Sequence, residues 1–191
     1  MQYPTIGFAM CGSFCTFDKV LAQLKILKET YPNIIPILSE TSHETDNRFG
    51  TAEDFTHRME DICGTRVLSS LTAVEPIGPR EMLDALVIAP CTGNTIAKLA
   101  NGVADSSVTL AAKAHLRNEA PIVVAVSTND GLGGNAANIG KLLARKHFYF
   151  VPFGQDDHVH KPCSLVADFT KIADTLSMAL EGRQIQPVLL K

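Results

Sequence analysis

The sequence predicts an α/β fold: a three-layer α/β/α domain, Rossmann-like or flavodoxin-like, around a five- or six-stranded parallel sheet, with residues 1–191 as a single unit. Two observations predict it. Short runs such as Leu86-Val87-Ile88-Ala89 and Ile122-Val123-Val124-Ala125-Val126 are apolar throughout, as strands covered on both faces must be. They alternate with longer segments whose apolar residues recur every three or four positions, the spacing of helices that cross between parallel strands. With 191 residues and 46% hydrophobic content, the chain suffices for one large core.

Thr5–Met10 is the first strand, leading through Cys11-Gly12-Ser13 into a helix whose Val20, Leu21, Leu24, Ile26 and Leu27 keep helical spacing up to Tyr31-Pro32. Asn33–Leu38 is the second strand, Ser39–Gly50 a polar loop, and Thr51–Cys63 a helix capped by Thr51 and closed at Gly64. Val67–Leu71 reads as a further short strand, Pro79–Leu83 as a short helix opened by its proline, and Ala85–Ala89 as the next strand. In Ala89–Asp105 (APCTGNTIAKLANGVAD) the strand gives way at Pro90 to a small polar loop. A helix starts there with Asn94 or Thr95 as N-cap and Ile96, Leu99, Ala100 and Val103 on its apolar side. A helix continues over Ala104–Asn118, followed by a strand at Pro121–Val126 and a helix at Asn135–Lys146. Phe148–Pro152 is the last expected strand and Ser164–Leu180 a closing helix.

Composition excludes several classes of function. The net charge is −3 and the cations are scattered, so no basic field is available for nucleic acid. No apolar run approaches the roughly 18 residues of a membrane span. The start, MQYPTIGFAM, lacks the basic region of a leader, so a cytoplasmic protein without a membrane partner is expected. Five cysteines, at 11, 15, 63, 91 and 163, form no C-x-x-C pair and read as reduced thiols.

In an open parallel sheet, ligands lie beyond the carboxyl ends of the strands where the strand order reverses. The loops to inspect therefore begin at Cys11, Ser39, Pro90 and Ser127. Gly12-Ser13 has the form of a phosphate cradle at a helix start, or of a plain tight turn; it is neither G-x-G-x-x-G nor a P-loop. Ser39-Glu40-Thr41-Ser42 offers hydroxyls for a phosphate or for capping the local backbone. Ser127–Asn135 is polar, five of its nine residues being Gly or Asn, and Asn129 falls at the sheet's carboxyl edge. The acids and histidines of Gln155–Lys161 read as solvated, and no metal site is assigned. His43, His57, His115 and His147 are isolated and read as surface or helix residues.

The stretch PCTGNTIAKLANGVAD resembles the P-A-S-A-N-T-x-A-K-x-A-x-G-x-A-D signature of the flavoproteins that include the lantibiotic and phosphopantothenoylcysteine decarboxylases. It matches at Pro90, Asn94, Thr95, Ala97, Lys98, Ala100, Gly102, Ala104 and Asp105. The likeness runs from about Thr5 to Pro152. Within that superfamily, IGFAMCGSFCTF, SETSHETDNRFGTAEDF and STNDGLGGNAANIGKLLARK resemble the dipicolinate synthase B-subunit family of spore-forming bacteria.

The resemblance implies FMN contacts at Gly12, Ser13, Phe14, Ser39, Thr41, Pro90, Cys91, Thr92, Asn94 and Thr95, completed by Ser127, Thr128 and Asn129. It implies a separate NAD(P)-binding A subunit as partner, and oxidation of dihydrodipicolinate to dipicolinate in the mother cell during sporulation. It also implies a homo-oligomer built from trimers. The substrate is then a small dicarboxylate, drawn to helix N-termini and to cations such as Arg48, Lys98, Arg145 or Lys161, with Asn129 as the candidate catalytic residue that orients substrate or flavin.

Two departures weigh against cysteine decarboxylation. Where the decarboxylases carry a histidine, this chain reads Glu75-Pro76-Ile77, and their P-x-M-N-x-x-M motif is reduced to Val126-Ser127-Thr128-Asn129. The competing readings are a flavin-dependent cysteine-type decarboxylase and a non-catalytic flavin- or phosphate-binding partner of the A subunit.

Overall fold

The structure is a computed structural model and describes residues 3–190. Strands β1 (Thr5–Met10), β2 (Asn33–Leu38), β3 (Ala85–Cys91), β4 (Ile122–Thr128) and β5 (Phe148–Phe150) run parallel in the order β2-β1-β3-β4-β5. Strand β7 (Leu165–Ala167) pairs antiparallel with β4, and β6 (Phe153–Gly154) antiparallel with β7, making seven strands among the described residues. The sheet is therefore mixed, not the purely parallel one of five or six strands. The addition has a simple cause. Strand β5 covers only the start of β4, pairing Ile122 with Phe148, so the end of β4 would leave an open edge; β7 pairs there with Ser127 and Thr128.

Helices α1 (Phe17–Thr30), α3 (Ala52–Cys63) and α8 (Ile172–Leu180) pack together on one side. Helices α5 (Gly93–Asn101), α6 (Ser107–Leu116) and α7 (Ala136–Leu143) form the other layer. Covered on both faces, β3 is buried along its whole length, and Ile122 to Val126 of β4 are 0% exposed. That is why these strands read as unbroken apolar runs.

Several boundaries differ from the sequence reading. The segment after β2 is not all loop: Ser39 caps α2 (Glu40–Glu44), its hydroxyl accepting from the Ser42 amide at 3.2 Å. Val67–Leu71 forms no strand, only one bridge from Leu68 to Ile37. The helical turn expected at Pro79 comes earlier, as α4 (Leu71–Val74), capped by Ser70, and a 3-10 turn at Glu75–Ile77. α5 and α6 are separate helices, because Gly102 ends α5 in the left-handed region at φ 72° and Ser106 opens α6 with a capping box. The closing helix starts only at Ile172, after β7 and a 3-10 turn at Phe169–Lys171.

Candidate functional site

The chain leaves β1 toward β2 on one side and returns to β3 on the other, so the loops after β1 and β3 diverge and open a crevice. Strand β3 does not stop at Pro90, as expected, but runs to Cys91 with a shift of register against β4 between Ile88 and Cys91. The proline has no N–H to give the ladder, yet its carbonyl accepts from the Cys11 amide at 3.2 Å. The cap of α5 accordingly falls at Thr92, not Asn94 or Thr95, and its hydroxyl accepts from the Thr95 amide at 3.4 Å. Cross-links join the loops into one rim. Ser13 and Ser127 share a hydroxyl hydrogen bond of 2.8 Å, Thr95 Oγ1 donates to Cys11 Sγ at 3.3 Å, and the Ser39 amide donates to the Met10 carbonyl at 3.0 Å.

Two clefts flank this rim. The first, about 880 Å³, is lined by Gly12, Ser39, Thr41, Thr92, Asn94 and Thr95 among others, with Lys98 beside them. The second, about 910 Å³, is lined by Gly12, Ser13, Phe14, Thr92, Asn94, Ser127, Thr128 and Asn129 among others. Gly12, Thr92 and Asn94 belong to both and form a ridge between them. Of the residues nominated from sequence, Pro90 and Cys91 line neither cleft: they are buried at the end of β3, beneath the floor.

The sequence reading missed Ser70 and Ser106 in the first cleft and Lys19 and Phe49 in the second. The two serines had a local signal, since each caps a helix through its hydroxyl. The others are brought in by tertiary packing alone.

Among the described residues, the first cleft carries one cation, Lys98, against three carboxylates, Glu40, Glu44 and Asp105. Lys98 Nζ lies 2.8 Å from Asp105, holding that carboxyl below its ordinary range. Glu40 accepts from the Ser107 amide at 2.8 Å and so anchors the start of α6. Burial pushes the Cys11 thiol up to about 11 and the Cys91 thiol well above its ordinary value. Both are protonated at neutral pH and unsuited to nucleophilic attack.

Two glycines test whether a phosphate-bearing cofactor suits this rim. A Cβ on Gly93 would lie 2.5 Å from Thr128 Oγ1 and 2.7 Å from Asp130 Oδ1, so that glycine serves the packing of α5 against the loop after β4. A Cβ on Gly12 would meet nothing closer than Phe14 and Thr41 Cγ2 at 3.6 Å. The fold does not need Gly12; what its missing side chain leaves open is the ridge between the clefts. The hydroxyls of Ser39 and Thr41 and the N-terminal amides of α5 offer donors that fit a phosphate monoester carrying a polyol, while the Thr92 and Thr95 hydroxyls donate within the rim, to Thr95 and to Cys11, and Lys98 is paired with Asp105.

Other features lie apart from the strand ends. A concavity of about 490 Å³ between α1 and α3 contains Arg58, paired with Asp18 at 2.7 Å, and Lys28, whose ammonium donates to the Pro32 and Cys63 carbonyls. In the 155–161 segment, His160 pairs with Asp157 at 3.1 Å and Lys161 with Asp156 at 3.6 Å. Among the described residues, no histidine lines either cleft.

Residues 1–152 match the Flavoprotein family. The chain is 41% identical over 186 residues to the dipicolinate synthase B subunit of Bacillus subtilis (strain 168), covering 97% of this chain and 93% of that protein. The crystal structure of the dipicolinate synthase B subunit from Bacillus halodurans superposes with a TM-score of 0.91 at 42% identity, covering 100% of this chain and 99% of the other. A more distant likeness, of fold alone, is to the FMN-dependent cysteine decarboxylase SpaF, with a TM-score of 0.68 at 21% identity over 92% of this chain and 97% of that one. The chain thus belongs to the flavoprotein family, among its dipicolinate synthase B subunits.

Proposed function

We propose that this chain is the FMN-binding B subunit of a dipicolinate synthase, and that with an NAD(P)-binding A subunit it oxidises dihydrodipicolinate to dipicolinate during sporulation. The observation that carries the reading is the near full-length kinship to the B subunit of a dipicolinate synthase, at 41% identity over 97% of the chain. The first cleft supports the cofactor. Ser39, Thr41, Thr92 and Thr95 would hold the phosphate and ribityl chain, aided by the amides of Gly93 and Asn94, and Gly12 would let the backbone approach closely.

Aromatising a dihydropyridine dicarboxylate removes two electrons and two protons, as a hydride and a proton. Bound flavin, or nicotinamide on the A subunit, supplies the two-electron acceptor. Asn129, exposed at the end of β4 in the second cleft, orients the ring, and the proton passes to water because that cleft is open to solvent. In this reading the protein works as a homo-oligomer built from trimers, and residues 1–191 act as one domain.

Mixing the two purified proteins and following dipicolinate absorbance tests the activity. The pair is expected to exceed the A subunit alone by at least about 10-fold; full rate from the A subunit alone would remove any catalytic part for this chain. Flavin fluorescence titration tests the cofactor, and saturable quenching at one FMN per chain is expected.

A further inference from the structure

Three cations reach the second cleft from three separate segments: Lys19 on α1, Arg48 in the 45–51 loop and Lys161 in the loop before β7. Among the described residues, Lys19 and Arg48 make no ion pair, and Lys161 has only the long 3.6 Å contact to Asp156. The other carboxylate on this wall is engaged. Asp130 accepts from Thr128 Oγ1 and, at 3.0 and 2.8 Å, from Asn135 Nδ2. The remaining candidate cations are elsewhere: Lys98 is held by Asp105 in the first cleft, and Arg145 donates to the Leu99 carbonyl outside both.

We propose that Lys19, Arg48 and Lys161 are the carboxylate-binding residues of this chain, and that the second cleft takes a planar ring bearing two carboxylates. This rests on the reading above that the first cleft is the cofactor's. Cations on separate segments can hold two separated negative charges at once, which a single charge cannot exploit. The ring of Phe14 lines the same cleft and offers an apolar face for a flat molecule, while Phe49 carries the Arg48 guanidinium over its ring at 4.8 Å. The cleft therefore selects dianions over monoanions.

The test is calorimetric titration of the FMN-loaded protein with pyridine-2,6-dicarboxylate, benzene-1,3-dicarboxylate and pyridine-2-carboxylate. Both dicarboxylates are expected to bind at least about 10-fold tighter than the monoacid, and more weakly as salt rises. Lys19→Ala, Arg48→Ala and Lys161→Ala should each weaken dicarboxylate binding about 10-fold, with Arg48→Lys recovering part of its loss. FMN affinity should stay within about 2-fold in all of them. Equal affinity for mono- and dicarboxylates, or dicarboxylate affinity unchanged in the three alanine variants, overturns the proposal. If the parent chain takes no FMN, the cofactor reading is what fails, and the same titrations on the flavin-free chain still decide the cations by the same criteria.

Discussion

Gly12 and Gly93 stand two loops apart on the same rim, yet their missing side chains do different things. Gly12→Ala meets only ordinary contacts at 3.6 Å, so the variant should melt within about 2 °C of the parent while its FMN affinity drops at least about 10-fold. Equal loss of both would mean that Gly12 serves the fold. Gly93→Ala places a methyl 2.5 Å from Thr128 Oγ1 and should cost about 1–3 kcal/mol in chemical denaturation, whatever the ligand. Asn94→Asp sets a negative charge beside the expected phosphate, and fluorescence titration should show weaker FMN binding, less so at high salt. At this scale the sequence was informative about the rim: of the residues nominated at the strand ends, all but Pro90 and Cys91 line a cleft, with Ser13, Phe14, Ser127, Thr128 and Asn129 in the second alone. It was silent on Lys19 and Phe49, whose place depends on how α1 and the 45–51 loop pack around the crevice and not on any local pattern.

Among the elements, α5 carries the rim. Its cap was misplaced from sequence because Pro90 looked like the end of a strand. In the fold, the carbonyl of Pro90 is still in use, and the helix begins immediately beyond Cys91. Thr92→Ala should lower stability by about 1 kcal/mol in urea denaturation and Thr92→Ser should restore it, since the cap needs only the hydroxyl. Long elements such as β1, β2 and α3 were legible to within a residue or two, because six residues of pattern mark each strand and twelve residues between the Thr51 and Gly64 caps mark the helix. Strand β7 was not. Leu165, Val166 and Phe169 suit a helix face as well as a strand, and three residues adopt the strand only because the end of β4 has an edge to fill.

For the whole molecule, the sheet buried on both faces leaves little tolerance for charge between its layers. His115, on α6, is 0% exposed; its Nε2 pairs with the Pro121 carbonyl at 3.1 Å and its Nδ1 has no partner among the described residues. Burial lowers its pKa below the ordinary 6.5, partly opposed by that hydrogen bond. The unfolded chain therefore takes up this proton first as pH falls, so the histidine costs stability below about 6.5 and nothing above it. Melting temperature should decline between about pH 6.5 and 5 in the parent and less steeply in His115→Gln; parallel curves would assign the decline to other groups. The ridge of Gly12, Thr92 and Asn94 has a consequence on the same scale. One backbone wall serves two clefts, so any displacement of it by one occupant is felt by the other. By thermodynamic reciprocity, the factor by which flavin changes the affinity for the dianion equals the factor by which the dianion changes the affinity for flavin, and the cofactor of this protein would be held more or less tightly according to whether substrate is present.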